Sequence, residues 1–198
     1  MFRFLNNKVS HVKVPWLTIV LSLVVITLYY VYGAAAEGLV YQRERIINGD
    51  ILNIITAHFT HSGFNHLVFN VVALLLIGSI IELKSRFVLG MSIVIGVIGI
   101  NLWLILDSNI MYYCGFSGVL NCLFAVGLFL VWQETKHPFL IFVILGYIIK
   151  LSLEIISSDS IFINMVWQSV PMAHIAGLLS GIISIFVIKT ICGLIPNL

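Results

Sequence analysis

Six times the chain runs for the length of a membrane crossing with almost no charge, over Trp16–Ala36, Asn65–Leu83, Phe87–Leu106, Gly115–Gln133, Pro138–Ile156 and Met172–Cys192. An α-helix needs roughly 20 apolar residues to cross the hydrocarbon core of a bilayer. No water is present there to satisfy backbone N–H and C=O groups, so such a run has to become a helix. Composition agrees: 61% of the residues are hydrophobic and 9% charged, against about 25% charged in a soluble domain. The expected fold is therefore an all-α membrane protein, a bundle of six transmembrane helices. A single domain covers residues 1–198, with a short cytoplasmic segment over about residues 1–15. The first run follows Arg3, Lys8 and Lys13 and ends in Ala34-Ala35-Ala36, as a cleaved signal would. Its apolar stretch exceeds the roughly 7–15 residues of a signal core, so it is read as a span.

Basic residues set the expected orientation. With the N-terminus inside, Arg3, Lys8, Lys13, Lys84, Arg86, Lys136 and Lys189 face the cytoplasm, whereas only Arg43 and Arg45 lie outside. Both termini are then cytoplasmic. A net charge of +2 without a basic, aromatic-rich patch excludes nucleic acid as a partner. Cys114, Cys122 and Cys192 lack the paired spacing of a metal or redox motif, and read as packing residues. The first outer connection, from Glu37 to about Phe64, holds too much Ile, Leu and Phe for a flexible tether.

The topology places the first turns of spans two, four and six at one depth near the outer face. Those turns hold His66 and Asn70, then Ser117, then His174. Ser117 stands in Gly115-Phe116-Ser117-Gly118 at a helix start, where glycines permit a tight turn and the backbone amides lack helical acceptors. A serine there is either a small packing residue or a nucleophile beside a preformed oxyanion site. His174, within a span, is costly unless it faces the interior with a partner. Gly177 and Gly181 keep its face small, as Asn121 and Ala125 do for Ser117, so the two helices can pack closely and bring hydroxyl to imidazole. His174 would then act as general base. His66 and Asn70, four residues apart on one helix face, are candidate donors to an oxyanion together with the Ser117 amide. His58, His61 and His66, with His174, form an alternative metal grouping, but no companion acid at HExxH-like spacing accompanies them. No metal and no cofactor is expected. Lys150 and Glu154, also four apart, are either an ion pair or part of a substrate-binding site. Glu82, Lys84 and Arg86 are read as anchors of the loop between spans two and three.

Taken together, these residues resemble the rhomboid intramembrane serine proteases. The matching pieces are His61-x4-His66-x3-Asn70, Gly78-x3-Glu82, Gly115-Phe116-Ser117-Gly118 and Ala173-His174-Ile175-Ala176-Gly177-x3-Gly181, in the family's order. The resemblance implies a Ser117–His174 dyad with no acid partner, stabilisation of the oxyanion by His66 and Asn70, and membrane proteins with a single transmembrane segment as substrates. Two positions depart from the family pattern. Leu52-Asn53 stands where Trp-Arg is usual in the first outer loop, and Asn121 where a tyrosine often packs on the base. Within the family the chain is most similar to the rhombosortases, through Thr56-Ala57-His58-Phe59, Gly115–Leu120 and Lys150-x3-Glu154. That likeness implies a Gram-negative inner-membrane enzyme, its active site open toward the periplasm, cutting C-terminal Gly-Gly-plus-helix tails of exported proteins. A rhomboid-like pseudoprotease, binding transmembrane helices without cutting them, is the alternative.

Overall fold

The computed structural model describes residues 13–157 and 170–194, with side chains to residue 191. The basic residues Arg3 and Lys8 and the packing expected of Cys192 lie outside the described part. α1 (Trp16–Tyr32) leads into a first connection carrying strand β1 (Tyr41–Gln42), short helices α2 (Arg43–Ile47) and α3 (Asn53–Thr56), and a 3-10 turn (Ala57–Phe59). Next comes one continuous helical rod, α4 (Phe64–Ala73) and α5 (Ser79–Lys84), joined through a π-helical turn over Leu74–Gly78. α6 (Arg86–Leu106), strand β2 (Tyr112–Tyr113), α7 (Ser117–Thr135), α8 (Phe139–Ser157) and α9 (Pro171–Leu194) complete the chain.

Five of these helices are long and apolar enough to cross a membrane: Phe64–Lys84, α6, α7, α8 and α9. They coincide with five of the six expected spans to within three residues at either end. α1 is apolar but has 17 residues, at the short limit for a crossing. It stops at Tyr32, short of the expected Ala36. Gly33 takes a left-handed φ of 82° and returns its N–H to Tyr29 C=O, so the three alanines belong to the connection.

The centre of the bundle is α7 and α9, flanked by α6. Their approach is set by glycine. A Cβ on Gly177 would lie 2.0 Å from the Gly118 carbonyl oxygen, and one on Gly181 2.6 Å from that of Cys122. Only a residue without a side chain lets the two backbones touch there. On α6, a Cβ at Gly99 would lie 2.0 Å from Ser180 Oγ of α9. Leu89, Ile100, Leu104, Val119 and Leu123 fill the remaining interior.

The other end of the bundle is tied by Glu82. Its carboxylate accepts from the Leu17 amide at 2.9 Å, and from the Thr18 amide and hydroxyl at 2.7 and 2.9 Å. Two amides without intrahelical acceptors at the start of α1 are thus satisfied by an anion at the positive end of the helix. Arg86 closes the arrangement at 3.0 Å from Glu82 Oε1. Glu82 therefore joins α1 to α5 as well as bracing its own loop, while Lys84 pairs with Glu134 at the end of α7.

The first connection is built into the bundle, as its apolar residues suggest. Tyr41 and Gln42 pair antiparallel with Tyr113 and Tyr112, a short ladder in an otherwise helical molecule. Arg43 spreads its guanidinium over the last carbonyls of α6, 3.0 Å from Leu104, Ile105 and Asp107 oxygens. A cation at a helix C-terminus is favourable, and here it braces the loop, while Leu52 is exposed and Asn53 buried nearby.

Candidate active site

Ser117 is the first residue of α7, and its position is fixed by the chain before it. Gly115 has φ +115°, a conformation that L side chains rarely adopt. Its amide donates to Ala57 C=O at 2.9 Å and its carbonyl accepts from the Tyr113 hydroxyl at 3.0 Å. A Cβ on Gly115 would lie 2.4 to 2.6 Å from the His66 ring, so glycine also makes room for that histidine. The result presents Ser117 half-buried, with its amide in the first helical turn, where no intrahelical acceptor exists.

His174 stands in the first turn of α9, and its Nε2 is 2.9 Å from Ser117 Oγ. This is hydrogen-bond distance for a nucleophile and its base. The Gly118–Gly177 contact, one residue past the serine and three past the histidine, brings the two side chains together.

His174 Nδ1 lies 3.0 Å from Glu154 Oε2 of α8. The dyad without an acid partner, expected from the resemblance, is thus joined by a carboxylate. Lys150 Nζ is 2.7 Å from the same oxygen. The expected Lys150–Glu154 pair is present, but only 3% of the Glu154 side chain is exposed, and it faces the histidine. Lys150 remains one-third exposed.

From α4, His66 reaches the same corner at Gly115. The Ser62 hydroxyl is 3.0 Å from His66 Nδ1, while the opposite edge of the ring, at Cε1 and Nε2, lies against Gly115. Asn70 donates from Nδ2 to His66 C=O at 2.7 Å, and so braces its own helix. Both side chains are buried. Asn121 donates to Ser117 C=O at 2.6 Å and accepts from the Tyr147 hydroxyl of α8. Tyr147 in turn stacks on Phe124, with ring centroids 4.5 Å apart.

His58 and His61 belong to the connection beneath this corner. His58 Nε2 is 3.0 Å from Asn101 Oδ1, and its ring meets Tyr113 edge-on. His61 packs edge-on against His66, centroids 4.8 Å apart. Burial holds the His58 ring at a pKa of about 4 and that of His61 at about 3, well below the usual 6.5. Both are therefore neutral spacers near neutral pH. The metal grouping does not assemble, since among the described residues no three His, Cys, Asp or Glu side chains converge on one point.

Sequence reasoning brings Ser117, His174, His66 and Asn70 to one level; the geometry joins Ser117 to His174 and sets His66 against Gly115, while Asn70 bonds its own helix. It misses Ser62, Tyr147 and the orientation of Glu154. The i, i+4 spacing of Lys150 and Glu154 in an apolar helix is the available signal, but it does not say which neighbour the pair faces.

Comparison with known proteins places the chain in a family. The Rhomboid domain family model matches residues 48–190, from the first connection to the last turns of α9. A Bacillus subtilis (strain 168) protein named "Putative rhomboid protease YdcA" is 30% identical over 189 residues, covering 87% of each chain. The matched region contains the glycine-set α7–α9 contact and every residue around Ser117, and the chain belongs to the rhomboid family.

Proposed function

We propose that this membrane protein is an intramembrane serine endopeptidase in which Ser117 is the nucleophile and His174 its general base. The observation that carries the reading is the 2.9 Å contact between Ser117 Oγ and His174 Nε2. Ser117 Oγ attacks the substrate carbonyl as His174 takes its proton. The oxyanion is stabilised by the Ser117 amide, His66 and Asn70. His174 then protonates the leaving amine, an acyl-enzyme forms on Ser117, and water releases it by the reverse proton path.

The substrate has to be locally unwound, because helix amides inside a bilayer are already hydrogen-bonded. Membrane-anchored proteins with one transmembrane segment fit this requirement. The narrower reading is a rhombosortase that cuts C-terminal Gly-Gly-plus-helix tails, since glycines ahead of a helix favour an extended backbone. Thr56–Phe59, Gly115–Leu120 and Lys150-x3-Glu154 support it, and the exposed part of Lys150 is the group left for reading such a tail. An orientation with both termini cytoplasmic and the Ser117 end outward goes with the same reading.

The test is cleavage in proteoliposomes of single-span reporters, with and without a Gly-Gly tail, by wild type and Ser117→Ala. Cleavage lost in Ser117→Ala supports the protease, and preference for the tailed reporter supports the narrower reading. A folded wild type that binds the reporters and cuts none of them would favour the pseudoprotease.

A further inference from the structure

The base of a serine–histidine pair works only if the nitrogen facing the serine lacks a proton, so something must decide which nitrogen carries it. A carboxylate accepts hydrogen bonds and donates none. Glu154 Oε2, 3.0 Å from His174 Nδ1, therefore requires the ring proton on Nδ1. That leaves Nε2 with its lone pair toward the Ser117 hydroxyl, 2.9 Å away. We propose that Glu154 is the positioning residue of His174, fixing both the tautomer and the direction of the ring, and that Lys150 holds the buried carboxylate in place.

Three features of the molecule support this assignment. Glu154 is one of only two buried residues on α8, the other being Leu151 one turn earlier, so the helix turns its single acidic side chain inward. A buried carboxylate needs a counter-charge, and Lys150 supplies it at 2.7 Å on the same oxygen. Asn121, four residues after Ser117, is engaged by Ser117 C=O and Tyr147, so Glu154 provides the polar contact on the far side of the ring. During attack the Ser117 proton passes to Nε2, and the ring becomes an imidazolium between oxygen atoms. Glu154 then bears on a developing positive charge as well as on geometry. The inference deepens the protease reading and rests on it for the reaction, but the ring tautomer can be read without any turnover.

The experiment uses the full chain in nanodiscs with 15N-labelled histidine, as wild type, Glu154→Leu, Glu154→Asp and Lys150→Ala. The His174 signals are identified by their loss in His174→Ala. Wild type is expected to show neutral His174 protonated on Nδ1, Glu154→Leu a mixed or reversed tautomer, and Glu154→Asp the wild-type form. On a single-span reporter, kcat should fall on the order of 10²-fold or more in Glu154→Leu, since a misassigned tautomer in a serine protease costs up to about 10⁴. KM should change little, Asp should restore part of kcat, and Lys150→Ala should lose less than Leu does. Wild-type His174 protonated on Nε2 would overturn the proposal before any variant is made. So would a folded Glu154→Leu that keeps the wild-type tautomer and kcat. A rise in KM with kcat intact would return Glu154 to substrate binding. If wild type cuts no reporter while the tautomer still depends on Glu154, the positioning role stands and the protease reading falls.

Discussion

α8 and α9 are both apolar and long enough to span a membrane, yet they are held in opposite ways. In the most apolar stretch of α9, 39% of residues are buried, against 6% in α8. α9 meets α7 backbone to backbone at Gly177 and Gly181, where there is no slack. α8 meets the bundle mainly through Leu151 and a few polar bonds, from Tyr147 to Asn121 and from Glu154 to His174. In lipid, helices gain no hydrophobic advantage from packing against one another, so close small-residue contacts and interhelical hydrogen bonds decide what is rigid. Ser117 and His174 thus sit on the closely packed pair, and Glu154 reaches His174 from the loosely attached helix.

The largest effect is expected at Gly177. Gly177→Ala places a Cβ at 2.0 Å from the Gly118 carbonyl oxygen, so α7 and α9 must move apart. Misplacement of about 1 Å between reacting groups costs about 10²-fold, and reporter cleavage should fall by that order, with a lower apparent Tm in detergent. A Gly177→Ala enzyme of wild-type activity would show that the contact is not what sets the Ser117–His174 distance.

Tyr147→Phe tests the polar attachment of α8. It removes a bond worth about 1 kcal/mol, and activity should fall about fivefold with the fold intact. An unchanged kcat would mean that Glu154, Leu151 and the stack on Phe124 hold α8 to the site without this bond.

Acid sharpens the contrast between the helices and the connection beneath them. His58 and His61 are depressed to about 4 and 3 in the folded protein, so below the unfolded value of about 6.5 the unfolded chain binds more protons. Stability is therefore constant above roughly pH 6.5 and declines as pH drops toward 4, by at most about 1.4 kcal/mol per pH unit for each ring. Apparent Tm against pH should show this slope, and His58→Gln should flatten it. A flat wild-type profile would contradict the burial of these rings.

The smallest effect belongs to Gly146 on α8, where a methyl group in place of the glycine hydrogen would have no neighbour within 4 Å. Gly146→Ala should leave cleavage unchanged and raise apparent Tm slightly, because helical glycine costs roughly 0.5–1 kcal/mol relative to alanine. A loss comparable to that of Gly177→Ala would mean that α8 is packed as tightly as α9.

This division also explains what can be read from the sequence. Spans are legible because the bilayer imposes length and apolarity. The meeting of Ser117 and His174 is legible because Gly177 and Gly181 share a face with the histidine. α8 is opaque for a physical reason. Its residues are apolar on nearly every side, so no hydrophobic period shows which face turns inward, and the spacing of Lys150 and Glu154 says only that they meet each other. The end of α1 is obscured for a different reason, since alanine suits both helix and loop and Gly33 alone marks the turn. Glu82 reads as an anchor of its own loop because a carboxylate that caps another helix from 64 residues away leaves no local trace.

In the proposed reaction His174 activates Ser117. The most direct measurement is fluorophosphonate labelling of the purified protein, with the adduct located by peptide mass spectrometry in wild type, His174→Ala and Ser117→Ala. One adduct on Ser117 in wild type, absent from both variants, is the expected result. An adduct on another residue, or equal labelling of Ser117 with and without His174, would contradict it.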